Sequence, residues 1–329
     1  MWFEKLTGFK EVSPENVRSN LRVDGDSFVS KGNNKRFTFG KLEIPTLTEL
    51  KKNCPPRGVF KDRIQLSEVI GDVQELHKSP ENSNALFQAA SQFNLLEMVG
   101  PHITPEQGID RYERDYTQGP ACAIACGAGT IYRNYFVELK SQIGQTSNNQ
   151  IDCLELIGKE LGNDELSLWS MNNGYAQINQ EGLLIINKKI ADLSDKQREE
   201  LKGKLKVGIQ WNTEVTISND KQKVSQIYCS ALPVIYSSID SIYWESFARV
   251  ILEATYEATL YTALINLDKT NSNLVYLTLV GGGAFGNREY WILESLQVAI
   301  NKFRNIPLDV RIVSYGESNV ELVKMINDN

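Results

Sequence analysis

The sequence signal with the clearest chemistry is a run of glycines between an apolar strand and a helix. The run consists of Gly281, Gly282, Gly283, Ala284, Phe285, Gly286 and Asn287, and it follows the apolar segment LVYLTLV. Glycine allows backbone N–H groups to approach a phosphate closely, and the following helix adds the positive end of a dipole. The run therefore predicts a phosphate-binding loop, with a tight turn that holds no ligand as the alternative. It is not a Walker A loop, because no Lys-Ser/Thr pair follows it.

The cysteines and histidines offer little further chemistry. Cys122 and Cys126 lie four residues apart on a predicted helix, where they can form a thiol pair or half of a metal site. No second pair at ligand spacing accompanies them, and their alanine neighbours favour core positions. Cys122 is a possible nucleophile near a helix N-terminus, but only His77 and His102, in predicted polar loops, are present to activate it. We predict no metal and no cofactor.

Composition excludes several classes of protein. The 329 residues include 35 Lys and Arg and 41 Asp and Glu, which gives a net charge of −6. A nonspecific nucleic-acid binder needs a basic face, so no strong nucleic-acid partner is expected. No apolar stretch approaches the ~20 residues of a membrane span, and the first residues lack the apolar run of a secretory signal. Five scattered cysteines argue against a disulfide scaffold. We expect a reduced, cytoplasmic protein.

The elements that must position the glycine run form an α/β pattern. A long helix, the strand before the run, a second helix and a final strand follow one another at 242–267, 274–280, 288–303 and 308–315. This order predicts a layered α/β domain with parallel strands and right-handed crossovers. Ligands of such sheets bind outside the carboxyl ends of the strands.

The first half of the chain supplies two more predicted strands and a helix. Residues 63–73 alternate and predict a strand that ends at Gly71-Asp72, and residues 84–93 predict a second, buried strand. Thr117-Gln118-Gly119-Pro120 then opens a helix, with Pro120 at a first helical position.

Polarity and turn residues divide the chain into parts. Residues 1–60 are polar and interrupted by Gly and Pro, which predicts an irregular extension packed on the core. Residues 61–329 are predicted to form the main α/β domain, with a β-rich insertion at about 165–235.

Together these motifs resemble the macrodomain superfamily. Its second phosphate loop is a buried strand followed by G-x-G-x-F-G and a helix, and the residues here on that pattern are Gly281, Gly283, Phe285 and Gly286. Its opening is a Gly-Asp-Ile/Val turn and a strand that ends in V-N-A-A-N, which Gly71-Asp72-Val73 and Phe87-Gln88-Ala89-Ala90-Ser91 resemble. The resemblance covers about half of the chain and implies a three-layer mixed sheet with helices on both faces.

The resemblance also implies a site for ADP-ribose or an ADP-ribosylated substrate. Asp72 matches the aspartate that binds the adenine amino group in the family, and Tyr315 lies where members often hold the adenine ring. Ser91 replaces the asparagine that contacts the distal ribose, against which Phe285 is expected to pack. The full set of implied ligand-binding residues is Asp72, Val73, Gln88, Ser91, Gln118, residues 281–287 and Tyr315.

Within the superfamily, the loop looks closest to the poly(ADP-ribose) glycohydrolase branch. Those enzymes add an upstream glycine-rich loop and a Gln-Glu-Glu motif whose second glutamate is the general acid. Here Thr117-Gln118-Gly119-Pro120 occupies the comparable place, so the Glu-Glu pair is lacking, and the upstream Gly-Gly-Gly is absent. The resemblance therefore supports ADP-ribose recognition better than it supports glycohydrolase chemistry.

Other carboxylates and amides crowd the stretch where macrodomains place the distal ribose. They are Gln92, Asn94, Glu97, Glu106, Asp110, Glu113, Asp115 and Gln118. Breaking a ribose glycosidic bond needs a carboxylic acid or a carboxylate that stabilises an oxocarbenium-like centre. We select Glu97 and Asp115 as catalytic candidates, supported by Gln92 and Asn94. The alternative is that they are solvated or cap helices, since carboxylates are common and their pKa values cannot be read from a sequence.

Cations and aromatic residues lie beside this cluster. Arg133, at the end of a predicted helix, can reach a diphosphate with a bidentate guanidinium, and a surface salt bridge is the alternative. Tyr112, Tyr132 and Tyr135 can stack on a base or ribose, although aromatics at helical spacing are more often core residues.

The leading functional prediction is a protein that binds ADP-ribose, or a nucleotide that contains it, and hydrolyses a glycosidic bond at its distal ribose. One alternative is a non-catalytic reader or sequestering protein for ADP-ribose, which the missing Glu-Glu pair favours. A second alternative is another nucleotide- or phosphosugar-binding α/β enzyme. A purely structural glycine turn is the third.

Overall fold

A computed structural model describes residues 1–55 and 63–329. The strands are β1 Leu21–Asp24, β2 Ser27–Ser30, β3 Arg36–Thr38, β4 Lys41–Glu43, β5 Gln65–Ile70, β6 Leu86–Ala90, β7 Glu138–Leu139, β8 Gln142–Ile143, β9 Trp169–Asn172, β10 Tyr175–Ile178, β11 Gly208–Glu214, β12 Lys223–Cys229, β13 Leu274–Leu277 and β14 Asp309–Ser314. The α-helices are α1 Trp2–Thr7, α2 Pro14–Asn20, α3 Leu47–Asn53, α4 Val73–Lys78, α5 Gln118–Ala125, α6 Gly127–Ile131, α7 Glu155–Leu161, α8 Asn163–Leu166, α9 Gln180–Ala191, α10 Asp195–Lys202, α11 Glu245–Thr270, α12 Glu289–Phe303 and α13 Val320–Asn327. Short 3₁₀ helices span Pro80–Asn82, Pro105–Gln107, Asp110–Arg114, Val234–Tyr236 and Ser241–Tyr243, and Tyr132–Phe136 forms a π-helical turn.

A seven-stranded sheet forms the centre of the fold, in the order β4-β11-β12-β6-β13-β14-β5. The strands from β12 to β5 are parallel neighbours. At the other edge, β11 pairs antiparallel with both β12 and β4. The sheet is therefore mixed, as predicted, and the carboxyl ends of its five parallel strands meet at one edge.

Helices cover both faces of this sheet. Successive residues of a strand point to opposite faces. On β6, the Phe87 ring stacks on His77 of α4, with ring centroids 3.8 Å apart. The next side chain, Gln88, donates across 2.8 Å to the hydroxyl of Thr259 on α11. The predicted three-layer arrangement is confirmed.

The N-terminal segment is more regular than the predicted irregular extension. Helices α1–α3 and strands β1–β4 lie within residues 1–55. Strands β1, β2 and β3 form a small antiparallel sheet, whereas β4 joins the edge of the central sheet. These strands have only three or four residues each, too few to show a period in the sequence. The predicted boundary between residues 60 and 61 lies outside the described residues.

The segment predicted as a β-rich insertion, 165–235, contributes directly to the core. It contains the hairpin of β9 and β10 and the helices α9 and α10. It also contains β11 and β12, which belong to the central sheet. Only the part before β11 is therefore an insertion that lies outside the central sheet. Sheet membership depends on pairing between distant segments, which local patterns do not report. The division of the chain into domains remains a prediction.

Helix starts follow the sequence more closely. Helix α5 begins at Gln118 after the N-cap Thr117, so Pro120 lies within the first turn. Ser194 caps α10 by accepting from the Gln197 N–H. Among the described helices, none combines the length and the apolarity that a bilayer crossing demands.

His77 is a core residue rather than a residue of a polar loop. It is fully buried on α4. Its Nδ1 lies 2.7 Å from the Val73 carbonyl oxygen, and its Nε2 lies 3.0 Å from the amide nitrogen of Gln226. The carbonyl can only accept and the amide nitrogen can only donate, so the neutral ring with its proton on Nδ1 satisfies both. Burial lowers the pKa of His77 to about 4.

We predict that the free energy of unfolding decreases as pH falls from about 6.5 to about 4, the ordinary and the folded-state pKa of His77. In that interval the unfolded chain binds a proton that the folded chain does not. A shift of this size corresponds to a loss on the order of 3 kcal/mol. Urea unfolding of the wild type and of His77→Gln over this pH range measures it. The variant should show a flatter dependence, and an equally steep one would contradict the assignment.

Candidate functional site

A cleft of about 1430 Å³ opens at the carboxyl edge of the parallel strands. Ala90 ends β6 and Ser314 ends β14, and both line the cleft. The residues that follow β5 and β13, including Asp72 and Thr278, also line it. Ligand pockets of proteins are typically 300–1,000 Å³, so this cleft has room for a dinucleotide-sized molecule.

Most of the residues selected from the sequence meet in this cleft. Those that line it are Asp72, Val73, Ser91, Gln92, Glu97, Asp115, Gln118, Gly281, Gly283, Ala284, Phe285 and Tyr315. Those that do not are Gln88, Asn94, Gly282, Gly286 and Asn287. The structure thus brings together both ends of the predicted site and places five predicted positions outside the cleft lining.

Gln88 and Asn94 have packing roles instead of the predicted site roles. Gln88 lies within β6, and its Oε1 accepts from the Thr278 N–H at 3.2 Å. Asn94 is fully buried and donates to Gln150 Oε1 at 2.8 Å. Both amides satisfy polar groups inside the fold, which explains why polar residues occur at these buried positions.

The glycine loop presents unpaired backbone donors. Its base is closed by Asn287, whose N–H donates to Gly281 O at 2.9 Å and whose side chain donates to Leu232 O at 2.8 Å. Asn287 therefore shapes the loop from outside the cleft. The N–H groups of residues 283–285 donate to no group in the described parts of the chain. Consecutive free amides of this kind hold phosphate oxygens in other proteins.

Helix α5 is attached to the end of β6 by its first residues. Gln118 Oε1 accepts from the Ala90 N–H at 2.9 Å, and its Nε2 donates to Gln88 O at 2.8 Å. Gln118 thereby extends the hydrogen bonding of the strand. A Cβ on Gly119 would lie 2.0 Å from Ala90 O and 3.2 Å from Glu97 Cγ. Only glycine permits this packing, and it seats the helix start directly against Glu97.

Glu97 is the most unusual group in the cleft. Its side chain is 1% exposed, and neither carboxyl oxygen has a hydrogen-bond partner within the described residues. Its backbone N–H donates to the Tyr112 hydroxyl at 2.9 Å. Burial raises the pKa of Glu97 to about 8, although the positive charge of Arg133 and the nearby Tyr112 hydroxyl oppose this shift. The raised pKa favours the protonated carboxyl, which is the state of a general acid.

Arg133 lies fully buried beneath Glu97 and forms no surface salt bridge. Its Nη2 is 3.6 Å from Glu97 Oε1. Its Nε donates to Leu95 O at 3.0 Å, and Nη2 also donates to Thr130 Oγ1 at 3.1 Å. The guanidinium lies 3.5 Å from the centre of the Tyr228 ring, a cation–π contact. Arg133 does not line the cleft, so the structure assigns it to Glu97 rather than to a diphosphate.

Asp115 lines the cleft, but its side chain closes the turn that precedes α5. Its Oδ1 accepts from the Thr117 N–H at 2.9 Å and from the Thr117 hydroxyl at 2.7 Å. The other carboxylates of the cluster hold neighbouring segments: Glu106 accepts from Ser147 N–H, Asp110 from Phe3 N–H and Glu113 from Trp2 N–H. Gln92 Oε1 accepts from the Met98 N–H at 2.8 Å and so closes the loop that carries Glu97. Among the carboxyl groups of this cluster, Glu97 is the one whose oxygens both lack a hydrogen-bond partner within the described residues.

The other end of the cleft carries Asp72 and Tyr315. Asp72 caps α4 by accepting from the Gln74 N–H at 2.7 Å. Tyr315 is 81% exposed. Its loop is held by Glu68, which accepts from Ser314 Oγ at 2.6 Å and from Asn319 N–H at 2.7 Å. No sequence pattern indicated Glu68, because a glutamate inside a strand carries no signal that it holds a loop.

Two tyrosines that no sequence motif indicated pack against Phe285. The ring centroids of Tyr175 and Tyr236 lie 5.3 Å and 5.9 Å from that of Phe285. The Tyr175 hydroxyl donates to Met98 O at 2.6 Å, next to Glu97. These rings make an aromatic wall at the Glu97 end of the cleft. They come from the segment 165–235 and its sequel, where no motif pointed to a site.

Thiol and metal chemistry receive no support from the geometry. Cys122 and Cys126 are fully buried. Burial raises the pKa of the Cys122 thiol well above its usual range, which opposes formation of a nucleophilic thiolate. Within residues 1–55 and 63–329, no three His, Cys, Asp or Glu side chains are grouped to hold a metal ion.

Comparisons with known proteins return structural neighbours only. A scan against protein families gives no match, and neither does a search of curated proteins. Among solved structures, the chain is similar to poly(ADP-ribose) glycohydrolase from Thermomonospora curvata, with 8% identity and a TM-score of 0.46, covering 94% of this chain and 93% of that chain. It is also similar to the Deinococcus radiodurans enzyme in complex with ADP-ribose, with 9% identity and a TM-score of 0.43, covering 88% and 93%.

We predict that Glu97→Gln becomes more stable relative to the wild type as pH rises from about 4.5 to about 8, the ordinary and folded-state pKa of Glu97. Over this interval the folded wild type retains a proton that the unfolded chain releases, so its stability decreases, whereas glutamine carries no such linkage. Urea unfolding at several pH values measures the difference. Glu317→Gln, which removes an exposed carboxylate from the cleft rim, is the control. A difference that does not change with pH would show that Glu97 is ionised.

Proposed function

We propose that the cleft binds ADP-ribose, or a nucleotide that contains it, and that Glu97 acts there as the general acid in hydrolysis of a glycosidic bond at the distal ribose. The observation that carries this proposal is the buried carboxyl of Glu97, which lacks hydrogen-bond partners in the described structure and lines the cleft. A carboxyl in that state has a proton to donate and no internal acceptor for it.

The remainder of the cleft suits the remainder of such a ligand. The free N–H groups of residues 283–285 line the cleft and suit hydrogen bonding to the negatively charged oxygens of a diphosphate. Asp72 and the exposed Tyr315 are available to an adenine amino group and ring at the other end. The motif resemblance supports the same arrangement, since Asp72 and Gly281 lie on its two loops.

The proposed reaction follows from the surroundings of Glu97. Its proton passes to the leaving atom as the bond from that atom to the anomeric carbon breaks. A water molecule adds to the anomeric carbon and releases a proton. We assign Asp115, a carboxylate that lines the cleft, to receive this proton. Arg133, 3.6 Å from Glu97 Oε1, stabilises the carboxylate that Glu97 becomes. Burial disfavours that negative charge, whereas Arg133 favours it. Together the two effects keep the pKa of Glu97 close to neutral pH.

A second candidate function is a non-catalytic reader of ADP-ribose. By the motif resemblance, Gly119-Pro120 occupies the place of the Glu-Glu pair of the glycohydrolases. Asp115 already accepts two hydrogen bonds from Thr117. A reader uses the same cleft without turnover, so binding tests address both functions and hydrolysis separates them.

We predict that calorimetric titration with ADP-ribose shows saturable binding that Asp72→Asn weakens about tenfold, the loss expected for one hydrogen bond to a charged group. Asparagine can still cap α4, so this variant separates ligand recognition from helix stability. AMP and NAD serve as comparison ligands. Asp240→Asn, which alters the cap of Ser241–Tyr243 outside the cleft, is the matched control. Absence of ADP-ribose binding to folded protein would contradict the proposal.

We predict that Glu97→Gln lowers turnover of an ADP-ribosylated substrate on the order of a hundredfold or more while ADP-ribose affinity is retained, because only proton donation is lost. Asp115→Asn, which preserves an acceptor for Thr117, should lose less. Release of ADP-ribose measured by chromatography reports the rates, and Asp240→Asn, outside the cleft, is the control. Binding without release in the wild type would establish the reader.

A further inference from the structure

A carboxylate of the N-terminal segment holds the surroundings of Glu97 from outside the cleft. Glu11 accepts at Oε1 from the Ile109 N–H at 3.1 Å and at Oε2 from the Asp110 N–H at 2.7 Å. The Tyr135 hydroxyl donates to Oε1 at 2.5 Å. Both oxygens of Glu11 are thus used, and Glu11 does not line the cleft.

The two segments that Glu11 joins carry the two partners of Glu97. The 3₁₀ helix Asp110–Arg114 contains Tyr112, whose hydroxyl accepts from the Glu97 N–H. The π-helical turn Tyr132–Phe136 contains Arg133, which lies against the Glu97 carboxyl. One carboxylate therefore connects both supports of the candidate acid.

The contact is tightly built. Gly108 adopts a φ of +88°, which other residues rarely adopt, and a Cβ there would lie 2.4 Å from Glu11 Oε2 and would displace the carboxylate. Helix α1 reinforces the same loop, since Trp2 Nε1 donates to Ile109 O at 3.1 Å and the Phe3 N–H donates to Asp110 Oδ1 at 3.2 Å. The N-terminal segment is thereby joined to the loop beneath the cleft at several points.

We propose that Glu11 is a positioning residue for Glu97, and that it acts through Tyr112 and Arg133 to keep the acid buried and aligned. The inference rests on the proposed function of Glu97. Loss of Glu11 removes the direct link between the loop and the π-helical turn, although α1 still holds the loop. We expect this loss to admit water to the Glu97 carboxyl and to leave the ligand-binding loops at the other strands in place. Small misplacements of catalytic groups reduce turnover strongly.

The test uses Glu11→Gln in the full chain, with Tyr135→Phe as a milder variant that removes a single hydrogen bond and keeps the ring. The matched control is Asp152→Asn, which neutralises another partly buried carboxylate that accepts from a backbone N–H, that of Leu154, away from the cleft. We expect turnover to fall about tenfold or more in Glu11→Gln, and less in Tyr135→Phe. KM and ADP-ribose affinity should stay as in the wild type.

A second readout follows Glu97 without using activity. The free energy of unfolding of the double variant Glu11→Gln/Glu97→Gln is compared with that of Glu11→Gln at several pH values. This gives the pH interval over which the substitution of Glu97 stabilises the protein in the Glu11→Gln background. We expect its upper end to move down toward the ordinary pKa of a glutamate, because water reaches the carboxyl. The titratable and charged groups around Glu97, namely Tyr112, Cys122, Arg133 and Tyr228, are unchanged in this comparison.

Each result decides one question. An unchanged Glu97 interval overturns the positioning role, as does an equal effect of Asp152→Asn. A wild type that binds ADP-ribose but releases no product contradicts the proposed hydrolysis, while a shifted interval in that same protein still supports the link between Glu11 and Glu97. If Glu11→Gln does not fold, the same comparison in Tyr135→Phe decides the outcome.

Discussion

Glu97 and Arg133 form a buried pair of ionisable groups, and the architecture around the cleft accommodates them. An uncompensated buried charge costs several kcal/mol. The fold avoids this cost in a different way for each of the two groups. Arg133 receives a carbonyl, a hydroxyl and the face of Tyr228. Glu97 receives no donor, so a retained proton replaces the missing partners. The asymmetry of the pair, rather than the pair itself, makes the carboxyl chemically useful.

The parallel sheet brings two complementary kinds of unsatisfied group to one space. The loop after β13 supplies amides without acceptors, and the loop after β6 supplies a carboxyl without donors. A molecule with an anionic centre and a glycosidic atom at one end satisfies both. Neither loop has regular structure at these residues, so the sheet edge and the start of α5 must hold them. Gly119 provides that contact, since it lets the helix approach Ala90 O and Glu97 together.

The fold could be predicted further than the site. Apolar runs and helix starts gave the parallel core correctly, because β13, α12 and β14 are each encoded by neighbouring residues. The membership of β11 and β12 in the sheet could not be predicted, since it depends on pairing with β4 and β6 far away in sequence. In the site, Glu97 could be named as a carboxyl, but its protonation depends on burial by distant segments. Gln88 and Asn94 show the converse, since their amides looked functional and are used in packing.

The π-helical turn Tyr132–Phe136 has a consequence for how this protein tolerates changes in length. A π turn contains one residue more than the α-helical turn that it replaces. Removing Asn134 would restore an α-helical turn and make Arg133 and Tyr135 adjacent residues, about 100° apart around the helix axis, instead of residues two positions apart. Arg133 and Tyr135 could then no longer face Glu97 and Glu11 together. Substitutions in this turn can be absorbed one side chain at a time, whereas a single deletion would separate the acid from the N-terminal segment in one step.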